Sequence, residues 1–276
     1  FLIMDIKTTR EFNSSNLQML ESYLGVPQGS LLCYYDELLE DSQLLEEING
    51  KMQTAVRNHD FKKGIFAKGS IDCLDWFAYQ RILIYVLIRH LKPKHVLETG
   101  VFYGGNTVFL LAAAKRNKMG TVHSVDLPDS KIRALKEEAA EYHTRHPLVG
   151  DSELYDESLS PGFIIPDYLK NQWRFTEGSS LEIIPQYHHE FGFYLHDSDH
   201  SYGFLNQELA LAYEKLSNDA VLVVDDLNWS NSFFKLCTER KLYPLLATDN
   251  GKGDLMVRTG IVKLDHPYNG NPAVTG

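Results

Sequence analysis

The sequence predicts an α/β fold in which helices come first, a mostly parallel sheet follows, and an antiparallel hairpin ends the chain. Residues 1 to about 92 show mainly helical patterns. From Lys94 onward, short apolar runs alternate with helical stretches, which is typical of βαβ units. Two strand-like runs flank the turn Asp249-Asn-Gly-Lys-Gly253, which indicates the hairpin. Together these patterns predict a Rossmann-like, seven-stranded sheet with one antiparallel strand and an N-terminal helical extension.

The composition limits the classes of partner. The 276 residues are 43% hydrophobic and 23% charged, which suits one large globular domain or a domain with an appendage. The formal net charge is −10, and no basic stripe is visible. A nucleic-acid partner is therefore not expected, because phosphate backbones are bound by clustered Lys and Arg. A small-molecule partner fits better.

Cysteine usage and hydropathy predict a cytoplasmic protein that does not cross a membrane. The cysteines Cys33, Cys73 and Cys237 are scattered and lack disulfide or metal-ligand spacing. The most apolar run, Ile82 to Ile88, is too short to span a bilayer. The first residues lack the basic region and the cleavage site of a signal peptide. Because the chain does not begin with Met, excision from a larger protein is left open.

The helical extension is predicted to cover residues 1–70, and the main domain residues 71–276. An apolar stripe from Leu38 to Ile48 predicts a helix that Asn49-Gly50 ends. Residues 64–70 are expected to form a loop. Asp72 can cap a helix that ends before Pro93 and is apolar nearly all round, so we expect it to pack beneath the sheet. Any homo-oligomer is expected to form through the N-terminal helices.

The remaining elements follow from alternating patterns. Strands are predicted at 95–99, 121–126, 172–176, 191–196, 220–225, 242–248 and 255–264. Helices are predicted at 105–117, 129–144, 179–186, 202–217 and 230–240.

Residues 145–170 are too long for an ordinary connection. A lid over a pocket is favoured over plain disorder, since Phe163-Ile-Ile165 offers apolar side chains to bury.

A glycine-rich turn follows the first strand of the sheet, in Val96-Leu-Glu-Thr-Gly-Val-Phe-Tyr-Gly-Gly-Asn-Thr107. Such a turn lets backbone approach a ligand closely at a helix start. Its spacing differs from the dinucleotide fingerprint, because Phe102 stands where a pyrophosphate needs glycine. Glu98 would repel a pyrophosphate but would pair with the ammonium of an amino-acid cofactor. Asp126, at the end of the second strand, suits a ribose diol.

This segment resembles the first motif of class I S-adenosylmethionine (SAM) methyltransferases, and the similarity covers roughly residues 75–262. The resemblance implies SAM as cofactor and Asp126 as the ribose-binding acid. It places Gly178 and Ser179 along the adenine edge, although Ser179 or Ser180 could equally cap the helix that follows. The implied cofactor contacts are Glu98, Gly100, Phe102, Tyr103, Gly104, Asn106, Thr107, Asp126, Gly178, Ser179 and Asp197.

Acidic clusters follow two further strands. His196-Asp-Ser-Asp-His200 ends the fourth strand, and Asp225-Asp226 ends the fifth. Carboxylates that converge at neighbouring strand ends repel one another unless a cation or protons neutralise them. An oxygen-rich set of this kind suits Mg²⁺. The alternative is that one aspartate caps a helix while the others are solvated.

The same clusters resemble those of divalent-metal-dependent O-methyltransferases, in particular the macrolide-sugar O-methyltransferases and their cephalosporin-hydroxylase-like relatives. The resemblance implies Asp197, Asp225 and Asp226 as metal ligands, with Asp199 as an alternative to Asp197, and His200 as the general base beside a catalytic Asp197. Asp225 stands where some relatives have glutamate. His200 could instead be an N-terminal helix histidine paired with an acid.

These patterns predict metal-assisted transfer of a methyl group from SAM to a hydroxyl of a small, natural-product or sugar-like acceptor. A metal-independent O-, N- or C-methyltransferase is the alternative enzyme, and a noncatalytic SAM-binding module of a larger assembly is the nonenzymatic one. An acidic lid and aromatic residues of the N-terminal helices could shape the acceptor site. Those aromatic residues are Tyr34, Tyr35 and Trp76. His188 and His189 are expected to lie in an exposed connection.

Overall fold

The computed structural model of the chain describes residues 6–58, 79–128, 160–249 and 256–267. Its N-terminal part is helical, as predicted. The helices are α1 (Ile6–Leu24), α2 (Leu32–Leu39), α3 (Ser42–Asn58) and α4 (Tyr79–Leu91). The predicted loop at 64–70, the Asp72 cap and Trp76 lie outside the described residues.

The seven strands in the described part of the chain form one sheet with the order β3-β2-β1-β4-β5-β7-β6. Strand β7 runs antiparallel to both of its neighbours, and the other neighbouring pairs are parallel. The predicted fold class is therefore confirmed. The strands are β1 (His95–Thr99), β2 (Thr121–Asp126), β3 (Trp173–Glu177), β4 (Phe191–His196), β5 (Leu216–Val224), β6 (Leu242–Asp249) and β7 (Met256–Pro267).

Helices cover both faces of this sheet, which is why its central strands are almost continuously apolar. Val96 and Phe193 point to the face that packs under α4 and the N-terminal helices. Leu97 and Tyr194 point to the opposite face, where later helices pack. The remaining α-helices are α5 (Thr107–Asn117), α6 (Ser180–Ile183), α7 (Tyr202–Tyr213) and α8 (Ser232–Arg240). Short 3-10 helices occupy Asp167–Gln172, Ile184–Gln186 and Leu227–Trp229.

Several element boundaries differ from the sequence prediction, those of α3 and β5 among them. Helix α3 runs through Asn49-Gly50, and Asp41 accepts a hydrogen bond from the N–H of Leu44 at its start. Burial of Ile48 and Met52 outweighs the cost of one helical glycine, which is about 1 kcal/mol. Strand β5 begins at Leu216 instead of 220, because Leu216 already pairs with β4. The predicted helix at 129–144 and the hairpin turn at 250–253 lie outside the described residues.

The N-terminal helices belong to the same apolar core as α4, α5 and one face of the sheet. The hydroxyl of Tyr23 donates to the carbonyl of Tyr243 at 2.7 Å and accepts from the N–H of Lys263 at 2.9 Å. Tyr35 is buried and accepts a hydrogen bond from Asn13 at 3.0 Å. Tyr35 therefore takes part in the packing of these helices.

None of the helices in the described ranges combines the length and the hydropathy that a membrane crossing requires.

Candidate active site

The glycine turn between β1 and α5 lies directly against the residues that follow β4. The N–H of Gly100 donates to Val125 at 2.9 Å, and the N–H of Asp197 donates to Thr99 at 2.9 Å. Gly100 has φ +85°, and a Cβ built on it would lie 1.9 Å from the carbonyl oxygen of Asp197. Glycine is therefore required here for two reasons, since the backbone is left-handed and the neighbouring chain leaves no room.

Asp126 holds the outer part of this turn. Its Oδ2 accepts from the N–H groups of Val101 at 2.9 Å and Phe102 at 2.8 Å, and its Oδ1 accepts from Leu127 at 2.8 Å. Its carbonyl accepts from the N–H of Gly178, which brings the ends of β2 and β3 together. The predicted ribose-binding acid thus stands at the predicted strand end and also fixes the shape of the turn.

The end of the long insertion packs on the same turn. The N–H of Gly162 donates to the carbonyl of Phe102 at 2.8 Å, and that of Ile164 donates to Tyr103 at 3.3 Å. Ile164 and Ile165 are fully buried, so the described end of the insertion is anchored in the core. Residues 145–159 of the predicted lid lie outside the described residues.

Glu98 is fully buried at the end of β1. Its Oε1 accepts from the hydroxyl of Thr107 at 2.9 Å, and its Oε2 accepts from the hydroxyl of Ser124 at 2.5 Å. Burial raises the pKa of Glu98 to about 8, although the two hydroxyl donors lower it. The carboxyl is therefore mostly neutral at pH 7 and both of its oxygens are engaged, so the structure does not present it to an ammonium.

We expect Glu98→Gln to remove a pH dependence of stability. A carboxyl whose pKa is raised by folding stabilises the protein below its unfolded pKa, and this contribution is lost as the pH rises towards about 8. The amide of the variant cannot ionise, so Glu98→Gln should gain roughly 3 kcal/mol relative to the wild type between pH 5 and pH 8. Urea unfolding at both pH values measures this difference. Parallel stability curves for the two proteins would contradict it.

Asp197 joins the cofactor-type turn to the first acidic cluster. Its Oδ2 accepts from the side-chain amide of Asn106 at 2.6 Å, and its Oδ1 lies 3.8 Å from Nε2 of His200. Burial raises the pKa of Asp197 well above its usual range, and the charges of Asp225 and Asp226 raise it further. The ends of β4 and β5 therefore do bring these acids within electrostatic reach of one another.

The other acids are each used locally. Oδ1 of the buried Asp199 accepts from the N–H of Ser201 at 2.8 Å, which closes a turn just before α7, and Ser201 precedes that helix without a side-chain capping bond. Oδ1 of Asp225 accepts from the N–H of Asp226 at 2.7 Å. Asp226 has φ +48°, and its Oδ1 accepts from Arg258 at 3.3 Å.

The carboxylates therefore lie near one another but do not form a compact group of metal ligands. Within the described ranges, no three of these acids have ligand atoms that all lie within 4.8 Å of one another. In the described part of the chain, the group that meets this condition consists of His95, His123 and His189, away from these acids.

His200 stands between Asp197 and an exposed tryptophan. Its side chain is 14% exposed, and its ring centroid lies 6.5 Å from that of Trp229, which is 52% exposed. Burial lowers the pKa of His200 to about 4, and the neighbouring His196 adds to this effect. The imidazole is therefore neutral at pH 7 and able to accept a proton.

A buried polar network beneath the site escaped the sequence analysis. Its centre is Glu208 of α7, which is fully buried and accepts from His196 Nδ1 and from the Tyr194 hydroxyl, each at 2.6 Å. Thr99, Ser198 and Ser180 donate to it as well. Burial alone would raise the pKa of Glu208, but these donors and His196 lower it to about 2. The available signal was an acid on the apolar face of α7, between Leu205 and Leu209.

The remaining predicted cofactor residues surround the turn. Gly104 has φ +93°, and a Cβ there would lie 2.9 Å from Ile165. Tyr103 and Thr107 are buried. Ser179 precedes α6 without a side-chain capping bond, and the Ser180 hydroxyl is directed to Glu208, so neither serine caps α6 through its side chain.

Comparisons with known proteins agree with this architecture. Residues 97–227, just under half of the chain, match a family model described as a methyltransferase domain. A cofactor-bound structure of Rv0187 from MTB is 12% identical and covers 84% of this chain and 96% of its own, with a TM-score of 0.54. The O-methyltransferase from Bacillus cereus in complex with S-adenosylhomocysteine (SAH) is 12% identical, covers 91% and 99%, and has a TM-score of 0.51. TomG from Streptomyces achromogenes, an O-methyltransferase of tomaymycin synthesis in complex with SAM, is 14% identical, covers 84% and 94%, and also has a TM-score of 0.51. No match was found among curated proteins.

The chain has the Rossmann-like fold of class I SAM-dependent methyltransferases. The chain is similar to enzymes of this class, and the match to the methyltransferase-domain model begins within β1 and ends just after the second acidic cluster.

Proposed function

We propose that the protein transfers the methyl group of SAM to a hydroxyl oxygen of a small-molecule acceptor and that a divalent cation assists the reaction. The observation that carries this proposal is the position of Asp197, which contacts Asn106 of the cofactor turn on one side and faces His200 on the other. The carboxylate of Asp197 would therefore lie between the bound SAM and the general base His200.

The turn suits a cofactor that carries an amino acid. Oδ1 of Asn106 is buried and has no hydrogen-bond partner within the described structure, which favours a donor from a bound molecule. Glu98 is fully buried and both of its oxygens accept hydrogen bonds, whereas the side chain of Asp197 is 30% exposed, so Asp197 is the carboxylate better placed to accept from the SAM ammonium. We place the ribose hydroxyls at Asp126 and the adenine beside Gly178.

The donor set at the strand ends suits a hard divalent cation such as Mg²⁺. Asp197, Asp225 and Asp226 would supply carboxylate oxygens, which this ion prefers. Burial raises the pKa of Asp197, and the charges of Asp225 and Asp226 raise it further. Asp199 is the weaker candidate because its Oδ1 is bonded to Ser201. When bound, the cation would lower the pKa of the acceptor hydroxyl and orient it.

His200 is proposed as the general base. In the reaction the acceptor oxygen bonds to the methyl carbon, the carbon–sulfur bond breaks and SAH leaves, while Nε2 of His200 takes the hydroxyl proton. The neutral imidazole is ready for this step. The exposed ring of Trp229 beside His200 offers a flat apolar surface on which a natural-product or sugar-like acceptor could stack.

Chelation of divalent ions tests the metal role. Exhaustive treatment with EDTA is expected to abolish turnover, because the acceptor hydroxyl loses its activation, and to leave SAM binding largely intact. Turnover is measured as SAH formation, and SAM affinity is measured by calorimetry. Addition of Mg²⁺ should restore the rate in the wild type but not in the double variant Asp225→Asn/Asp226→Asn.

A metal-independent methyltransferase is the second candidate, and the contact between Arg258 and Asp226 favours it. At 3.3 Å the guanidinium already places a positive charge beside one of the acids. Full turnover after chelation would support this candidate and would overturn the metal role.

A further inference from the structure

A cluster of three histidines lies at the edge of the sheet opposite the active site. His95 is the first residue of β1, His123 lies in β2, and His189 stands two residues before β4. The active site occupies the other ends of these parallel strands. His189 was expected in an exposed connection, but its side chain is partly buried against the other two rings, whereas His188 is exposed.

The three rings bring their nitrogen atoms together. Nδ1 of His95 lies 3.3 Å from Nε2 of His123, and one nitrogen of each ring lies within 4.8 Å of the others. The ring centroid of His189 is 4.1 Å from that of His95 and 4.8 Å from that of His123. Two nitrogens on a tetrahedral zinc ion are separated by about 3.3 Å, as follows from Zn–N distances of about 2.0–2.1 Å.

The surroundings keep these imidazoles neutral. Burial lowers the pKa of all three rings. The charge of His189 adds to this effect at His95 and at His123, whose pKa falls to about 4, and the charge of Lys94 adds to it at His189. Neutral imidazole is the form that binds metal ions. Nε2 of His189 is buried and has no hydrogen-bond partner within the described structure. The aromatic rings of Phe191 and Tyr187 close the other side of the cluster.

We propose that His95, His123 and His189 form a binding site for a divalent transition-metal ion, with zinc as the best-fitting ion. Three imidazole nitrogens suit zinc better than magnesium, which prefers oxygen ligands. A water molecule would complete the tetrahedron. The ion would tie β1 and β2 to the segment that leads into β4, so its role is structural and independent of the acids at the other edge.

Zinc titration of the untagged, metal-stripped full-length chain tests this site, with a chromophoric chelator as competitor. The wild type should bind one zinc ion at the histidine cluster. The double variant Asp225→Asn/Asp226→Asn should bind this ion as well. His123→Asn and His189→Asn should each weaken this binding by at least about tenfold. His188→Asn is the matched control, because it removes the exposed neighbouring histidine, and it should bind zinc as the wild type does.

Thermal unfolding followed by circular dichroism separates loss of the site from loss of the fold. Zinc should raise the melting temperature of the wild type and of His188→Asn, but not that of folded His123→Asn or His189→Asn. Equal zinc affinity in the wild type and both cluster variants would overturn the proposal. Binding that is lost in the aspartate double variant, or no binding by the wild type, would overturn it as well.

Discussion

Replacement of His200 by Asn is expected to lower kcat by about 10²–10⁴-fold, the usual contribution of a general base. The affinity for SAM should stay at the wild-type value, because the contacts of the glycine turn do not include the imidazole. Single-turnover rates of SAH formation and calorimetric titration with SAM measure the two quantities separately. The imidazole is unprotonated at pH 7, because burial lowers its pKa to about 4, and its Nε2 lies 3.8 Å from Asp197.

His188→Asn provides the control for this experiment. It removes an exposed histidine at the opposite edge of the sheet and should leave kcat unchanged. If His200→Asn kept the wild-type rate, the general-base role would be wrong. A parallel loss of SAM affinity would instead assign His200 to the structure of the cofactor pocket.

Gly100→Ala is expected to destabilise the protein by about 2–5 kcal/mol and to weaken SAM binding in the fraction that folds. Two costs add up in this variant. The residue has φ +85°, which strains any L-side chain, and the new Cβ would lie 1.9 Å from the carbonyl oxygen of Asp197. Relief of that overlap must move either the turn or the acid-bearing loop. Urea unfolding and calorimetric titration with SAM measure the two effects.

Gly50→Ala is the matched control for Gly100→Ala. Gly50 lies inside α3, and a Cβ there would meet nothing within 4 Å. The same change should therefore stabilise the protein by about 0.5–1 kcal/mol, as expected for glycine to alanine in a helix. If Gly100→Ala had the same free energy of unfolding as the wild type, the contact between the turn and Asp197 would not be tight.

The sequence alone determined the architecture and the place of the candidate site. The observed bounds of β1, β2 and β4 are those that the apolar runs predicted. This was achievable because strand periodicity, turn glycines and strand-end acids are local features of the chain. Topology then brings the carboxyl ends of parallel strands together, so the neighbourhood of Asp197 and Asp225 was also predictable.

The tertiary structure decided what the individual polar groups do. Glu98 is the last residue but one of β1 in the sequence, yet two hydroxyls from β2 and α5 turn it into a buried, largely neutral carboxyl. The carboxylate of Glu208 and the nitrogens of the histidine cluster meet partners that are distant in the chain. Local pattern carries no information on such contacts, because charge, protonation and ligand geometry depend on distances of a few ångströms between separate elements.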